Sequence, residues 1–253
     1  MKASITLAAD APYFEGHFPG RPILPGVVEL AMMAEAAVRV AGRDDPVHTI
    51  PFARLRHVVV PGDRLEIAAR KAAGRRVRVD LVRGETLVAN AAFELGALQP
   101  GAASAPETTI VLPPPDAPPP EALLPQHPPM RFLTAIVGET PDGLICTARL
   151  PGACALAAGG SAPALATLEA AAQAAAAWEA LRRWREGGGA VPRMGYLVAV
   201  RDVVLFAREV PADTNLVASV RLTAAAPPLT HYAVEVDHGE RRVLRGTIAT
   251  VLT

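Results

Sequence analysis

Residues 16–37 read GHFPGRPILPGVVELAMMAEAA. A histidine is followed by a Phe-Pro-Gly turn and a second Pro-Gly at Pro25-Gly26, after which an apolar run continues to about Val40. Proline suits the first turn of a helix, and a glycine just past the last turn suits its end, so the spacing predicts a helix opened by Pro25-Gly26 and closed by Gly42. A histidine at such a helix start reads as half of an acid/base pair. The other half is missing, because no carboxylate stands on the helix where the pattern calls for one.

The rest of the chain bounds the answer. With 253 residues, 51% hydrophobic and 20% charged, it can bury one large core or two of ordinary size, and a disordered chain is excluded. Its 25 basic and 25 acidic residues cancel, so the balance gives no sign of nucleic acid or of an anionic membrane surface as partner. Cys146 and Cys154 have no metal-like spacing and read as small buried hydrophobes of a reducing compartment. The N-terminal MKASITLAADAPYFEGH has no apolar run of signal-peptide length, and no apolar window is long enough to cross a membrane. A cytoplasmic protein is the expectation.

Residues 98–123, LQPGAASAPETTIVLPPPDAPPPEAL, are too rich in proline for a helix interior and favour an extended connector. The expected division is therefore an N-terminal domain over 1–97, a Pro-rich linker over 98–123 and a C-terminal domain over 124–253. Both flanking segments repeat one order of elements. In the first, the helix precedes FARLRHVVV, RLEIAARK, RRVRVDLV and ETLVANAAFEL, which read as strands with turns at Pro61-Gly62-Asp63, Gly74 and Gly84. In the second, RFLTAIV and LICTARL read as strands, a helix runs from Pro163 to about Arg185, and four strand-like runs follow to Leu252. Both helices are apolar nearly all round, which predicts burial inside a sheet. The implied fold is α+β: a long central helix wrapped by an antiparallel sheet, twice over.

GHFPGRPILPGVVEL followed by FARLRHVVVPGDRLEI resembles the hotdog-fold 3-hydroxyacyl-[acyl-carrier-protein] dehydratases, especially the branch tied to aryl polyene and related pigment pathways. LPQHPPMRFLTAIV, PALATLEAAAQAAAAW and VPRMGYLVAV are similar to the companion dehydratase-like subunit of the same pathways. The resemblance implies a double hotdog made by fusing two proteins that elsewhere are separate chains. It also implies a catalytic histidine in HFPG with an acidic residue 14 positions later. Counting from His17, that position is Ala31; aligning Pro163 with Pro25 puts Glu169 at the equivalent place, and 14 positions before Glu169 stands Ala155. Each half thus lacks what the other has. Since sites of this family form across the dimer interface, the resemblance implies one composite site from His17 and Glu169.

Removing water from a 3-hydroxyacyl thioester needs a base for the proton beside the carbonyl and an acid for the departing hydroxyl. A histidine with an ordinary pKa of about 6.5 suits the first task, and Glu169 suits the second, with Gln173 one turn on to orient it. The N–H of Gly26 or Val27 at the helix start is expected to polarise the thioester carbonyl, a contribution of roughly 3 to 4 kcal/mol for such donors. Tyr13, Phe14, Phe18 and Arg21 are expected along the substrate tunnel or its rim. The Arg182, Arg183 and Arg185 cluster is either a rim contact for an acidic carrier protein or solvated helix capping. No metal or cofactor is expected, since the phosphopantetheine arm belongs to the substrate. The expected partner is an acyl carrier protein or another acyl thioester, met by an intramolecular pseudo-dimer open to further self-association. Glu29 and Glu35 compete with Glu169 for the acid role. A hotdog thioesterase and a non-catalytic carrier-binding partner are the rival readings.

Overall fold

A computed structural model describes residues 1–42, 45–103 and 109–252; residues 104–108 of the proline-rich connector and the terminal Thr253 lie outside the described residues. The first half contains β1 (Lys2–Thr6), helix α1 (Gly26–Ala41), β2 (Val47–Leu55), β3 (Arg64–Lys71), β4 (Arg76–Arg83) and β5 (Thr86–Leu95). After the one-turn helix α2 (Pro120–Leu123), the second half contains β6 (Leu133–Thr140), β7 (Gly143–Arg149), β8 (Ser161–Pro163) and helix α3 (Leu168–Arg183). It ends with β9 (Gly195–Leu205), β10 (Glu209–Pro211), β11 (Asn215–Ala226), β12 (Leu229–His238) and β13 (Arg241–Leu252).

Eleven strands form one antiparallel sheet in the order β1-β3-β4-β5-β2-β9-β13-β12-β11-β7-β6. Read outward from the β2–β9 seam, both halves run in the same sequence: the first strand after the helix, then the last, then its two predecessors. The seam itself is antiparallel, with Phe52 opposite Arg201 and Arg54 opposite Ala199. The fold is the double hotdog that the resemblance implies, with the helix-and-sheet unit repeated as the sequence pattern predicts. Each helix packs on its own half of the sheet, α1 against β3, β4 and β5 and α3 against β7, β11 and β12. Leu30, Met33 and Ala37 of α1 and Leu168, Ala174 and Leu181 of α3 are fully enclosed, in one apolar cluster that spans both halves. Glycine in the left-handed region closes α1 at Gly42, where φ is 65°.

Several boundaries differ from the sequence reading. The first strand was expected from Phe52 to Val60, yet β2 covers Val47–Leu55. Pro51 reads as a boundary because it brings no N–H to a ladder, but the strand passes through it with its register interrupted between Thr49 and Phe52 on the β5 side. Beyond Leu55 the chain leaves the sheet to meet the HFPG loop: the carbonyl of Val59 accepts from Leu24 N–H at 2.8 Å. The second helix does not begin at Pro163; a 3-10 turn over Ala164–Thr167 precedes α3, and a π turn over Trp184–Gly188 follows it. β1 and the pair β8–β10 carry too few alternating apolar residues to be read from the sequence.

Candidate active site

His17 sits in the loop between β1 and α1 with 6% of its surface exposed. Two contacts fix its ring. Nδ1 lies 3.1 Å from the carbonyl of Ile23, and Phe18 stacks on it with centroids 4.2 Å apart. A proton on Nδ1 is therefore donated to Ile23, which leaves Nε2 as the lone-pair nitrogen. The loop is held from the other half of the chain. Gly16 has φ +75°, its carbonyl accepts from His127 N–H at 2.9 Å, and a Cβ on it would fall 2.2 Å from the His127 carbonyl oxygen. Only glycine fits there, so the segment 127–129 of the second half sets where the histidine stands.

Glu169 lies in the first turn of α3 and is 4% exposed. Its Oε1 accepts from Gln173 Nε2 at 2.9 Å. Gln173 is fully enclosed and anchored to the backbone, giving a second Nε2 hydrogen bond to Met130 O at 2.6 Å and accepting at Oε1 from Phe132 N–H at 2.8 Å and Leu133 N–H at 3.2 Å.

His17, Gly26, Glu29 and Glu169 line one cavity of about 210 Å³, together with Leu55 at the end of β2, Arg56 and His57 just beyond it, Ala172, Ala176 and Glu179 of α3, and Tyr196 and Leu197 of β9. The seam thus brings a side chain from each half to a shared space. Glycine at residue 26 allows Leu55 and Leu197 to close on the helix start, since a Cβ would lie 2.6 Å from the Leu55 side chain. No side chain caps α1, and the first N–H groups bonded back to Pro25 O are those of Val28 at 2.9 Å and Glu29 at 3.2 Å. Glu29 is 3% exposed, its Oε2 has no hydrogen-bond partner, and burial pushes its pKa up to about 8.

Ala31 and Ala155 meet at a different cavity, of about 390 Å³, lined also by Tyr13, Val28, Glu35, Leu165 and Arg208. Residues two apart on a helix point to opposite sides, so Glu29 faces the first cavity and Ala31 the second. Glu35 belongs to this second space and pairs with Arg39, away from His17.

The remaining expected site residues are distributed as follows. Gln173 backs Glu169 without lining the cavity, and Val27 is fully buried in the core. Tyr13 lines the second cavity instead of a tunnel at His17; Phe14 is buried in the core, Phe18 stacks on His17, and Arg21 is exposed. Of the arginine cluster, Arg185 makes two 2.7 Å hydrogen bonds to Glu139, so it ties the π turn after α3 to β6 and is not free at a rim. Both cysteines are buried free thiols, and burial pushes Cys146 up to about 12. Among the described residues no group of three or more His, Cys, Asp and Glu side chains could hold a metal ion, and no helix is long and apolar enough to cross a membrane. Sequence reasoning counted Glu29 among the candidates for the acid but did not see that it shares a cavity with His17.

Two family models match the chain in tandem. Residues 1–90 match the family model ApeI-like, described as ApeI dehydratase, and residues 118–252 match ApeP-like, described as ApeP dehydratase. A 3-hydroxyacyl-[acyl-carrier-protein] dehydratase FabZ from Anaeromyxobacter sp. (strain Fw109-5) is 41% identical over 106 residues, 36% of this chain and 65% of that protein. The FabZ of Rhizobium rhizogenes (strain K84 / ATCC BAA-868) is 45% identical over 67 residues, 24% of this chain and 43% of that protein. The chain therefore spans less than two thirds of the length of these curated relatives. In three dimensions it is similar to a trans-AT PKS dehydratase domain from Brevibacillus brevis, with a TM-score of 0.73, 15% identity, and 100% and 94% of the two chains covered. At that identity the likeness concerns the fold.

Proposed function

The chain belongs to the ApeP-like dehydratase family, with an ApeI-like dehydratase domain ahead of it, and from that premise we propose that it removes water from 3-hydroxyacyl thioesters at one composite site. The thioester is carried on the phosphopantetheine arm of an acyl carrier protein, and the product is the trans-2-enoyl thioester of a fatty-acid-like or aryl polyene pathway. The observation that carries this reading is the unequal pair of cavities: His17 and Glu169 line one, Ala31 and Ala155 the other.

In this mechanism His17 Nε2 takes the proton from the carbon next to the thioester carbonyl, while Nδ1–H stays on the Ile23 carbonyl and keeps the ring in place. The electrons moving toward the carbonyl oxygen are stabilised by the N–H of Gly26 at the positive end of α1. Glu169 delivers its proton to the departing hydroxyl, held in position by Gln173. The proton on His17 and the charge left on Glu169 are then restored through solvent, and no resident cofactor takes part.

The test is product mass after incubation with a 3-hydroxyacyl carrier protein, for the native chain, His17→Asn, Glu169→Gln and Glu35→Gln. Native protein and Glu35→Gln are expected to yield a thioester lighter by one water, and the other two variants to leave it intact. Full activity in Glu169→Gln would sink the composite site. Release of free acid would instead make the chain a hydrolase.

A further inference from the structure

The site described so far leaves one buried carboxyl of its cavity without a task. Glu29 stands one turn beyond Gly26 on the same face of α1, and both border the cavity shared with His17 and Glu169. The two buried carboxyl groups of that cavity have different surroundings: Glu169 is held by the Gln173 amide, whereas Glu29 keeps an oxygen, Oε2, without any hydrogen-bond partner although it is almost completely enclosed. A buried carboxylate needs donors around it, and here they are lacking. A carboxylic acid needs an acceptor.

We propose that Glu29 donates a hydrogen bond from its carboxylic O–H to the acyl substrate, holding the thioester carbonyl oxygen beside the Gly26 end of the cavity; this rests on the composite-site reading above. The protonated group complements an oxygen that gains negative charge as His17 removes the neighbouring proton. The ionised group would repel that charge. Burial keeps the side chain protonated at neutral pH, its pKa being pushed up to about 8. Two buried carboxyl groups in one cavity, one paired and one with an unpaired oxygen, are thereby set to different tasks. The other titratable or charged groups lining the space are His17 from the loop, Arg56 and His57 after β2, Glu169 and Glu179 from α3, and Tyr196 from β9. Glu179 is occupied by the Tyr232 hydroxyl at 2.5 Å.

Three measurements test this on the full chain. Glu29→Leu is expected to lower kcat/KM at neutral pH on the order of a hundredfold, as loss of one such donor does, with Glu29→Gln recovering part of the rate through its amide N–H. The native rate is expected to fall on the alkaline side as Glu29 ionises, and Glu29→Gln to lose that limb. A native-minus-Gln difference infrared spectrum should show a carboxylic C=O band at neutral pH that gives way to carboxylate above about pH 8. A carboxylate band already present at neutral pH overturns the proposal whether or not a substrate has been found. So does a Glu29→Leu rate within twofold of native, or an alkaline limb unchanged in Glu29→Gln. Full activity in His17→Asn would instead sink the composite site on which the proposal stands.

Discussion

Gln173 ties the Glu169 carboxyl to the backbone of residues 130–133, with Oε1 of Glu169, the carbonyl of Met130 and the N–H groups of Phe132 and Leu133 all bonded to its one amide. The amide uses both N–H bonds and both acceptor positions. It therefore has one orientation only, and that orientation aims a donor at Glu169.

Gln173→Leu keeps the volume and removes every one of these bonds. Each buried group it leaves unpaired is expected to cost about 1–3 kcal/mol, so the urea midpoint should fall clearly. The freed Glu169 carboxyl should lower kcat on the order of ten- to a hundredfold, because small displacements of a reacting group are costly. A variant with native midpoint and native kcat would mean that the amide does not position the acid.

Much of this was legible in the sequence. The two apolar helices, the strand order after each and the left-handed Gly42 follow from local pattern, because hydrophobic period and turn chemistry act over a few residues. The pairing of Glu169 with Gln173 follows from their spacing of four on a buried helix. The seam did not: which strand edges join is decided by packing between residues about 150 positions apart, as in Phe52 opposite Arg201. Without the seam, neither the sharing of one cavity by Glu29 and His17 nor the diversion of Tyr13 to the other could be read. Arg185 was ambiguous for the same reason, since its partner Glu139 lies on β6, 46 residues earlier.

Glu29 gives stability a pH dependence opposite to that of an ordinary surface carboxyl. Its pKa is about 8 when folded against an ordinary 4.5, so between these values the folded chain holds a proton that the unfolded chain has released. Raising the pH through that window costs stability, about 1.4 kcal/mol per pH unit, and the loss is complete above about pH 8. Glu29→Gln cannot ionise, so its stability relative to native is expected to grow from about pH 5 to about pH 8. Urea midpoints of the two chains across that range check it. A constant difference would show that the buried carboxyl does not titrate as its surroundings demand.

Gly16 is where the second half grips the loop that carries His17. An alanine there would put Cβ 2.2 Å from the His127 carbonyl oxygen while holding a positive φ of 75°. Both strains fall on backbone, which cannot step aside as a flexible side chain does. Gly16→Ala is expected to destabilise the chain by roughly 1–3 kcal/mol and to reduce kcat by moving His17, with circular dichroism still showing the sheet. Native stability and rate together would mean that the 127–129 segment does not set the histidine.

The second cavity supplies the complementary case. Ala31 and Ala155 border it, whereas His17 and Glu169 border the first, and the two spaces lie on opposite sides of α1 as Glu29 and Ala31 do. Filling one should therefore leave the chemistry of the other alone. Ala155→Phe adds a ring to a space of about 390 Å³ and is expected to keep kcat/KM for a 3-hydroxyacyl thioester within twofold of native. Ala172→Phe, on α3 in the first cavity, introduces the same ring beside Glu169 and is expected to block turnover. Paired rate measurements on these variants separate one working site from two. Loss of activity in Ala155→Phe at unchanged stability would place an acyl chain in the cavity that lacks both the histidine and the acid.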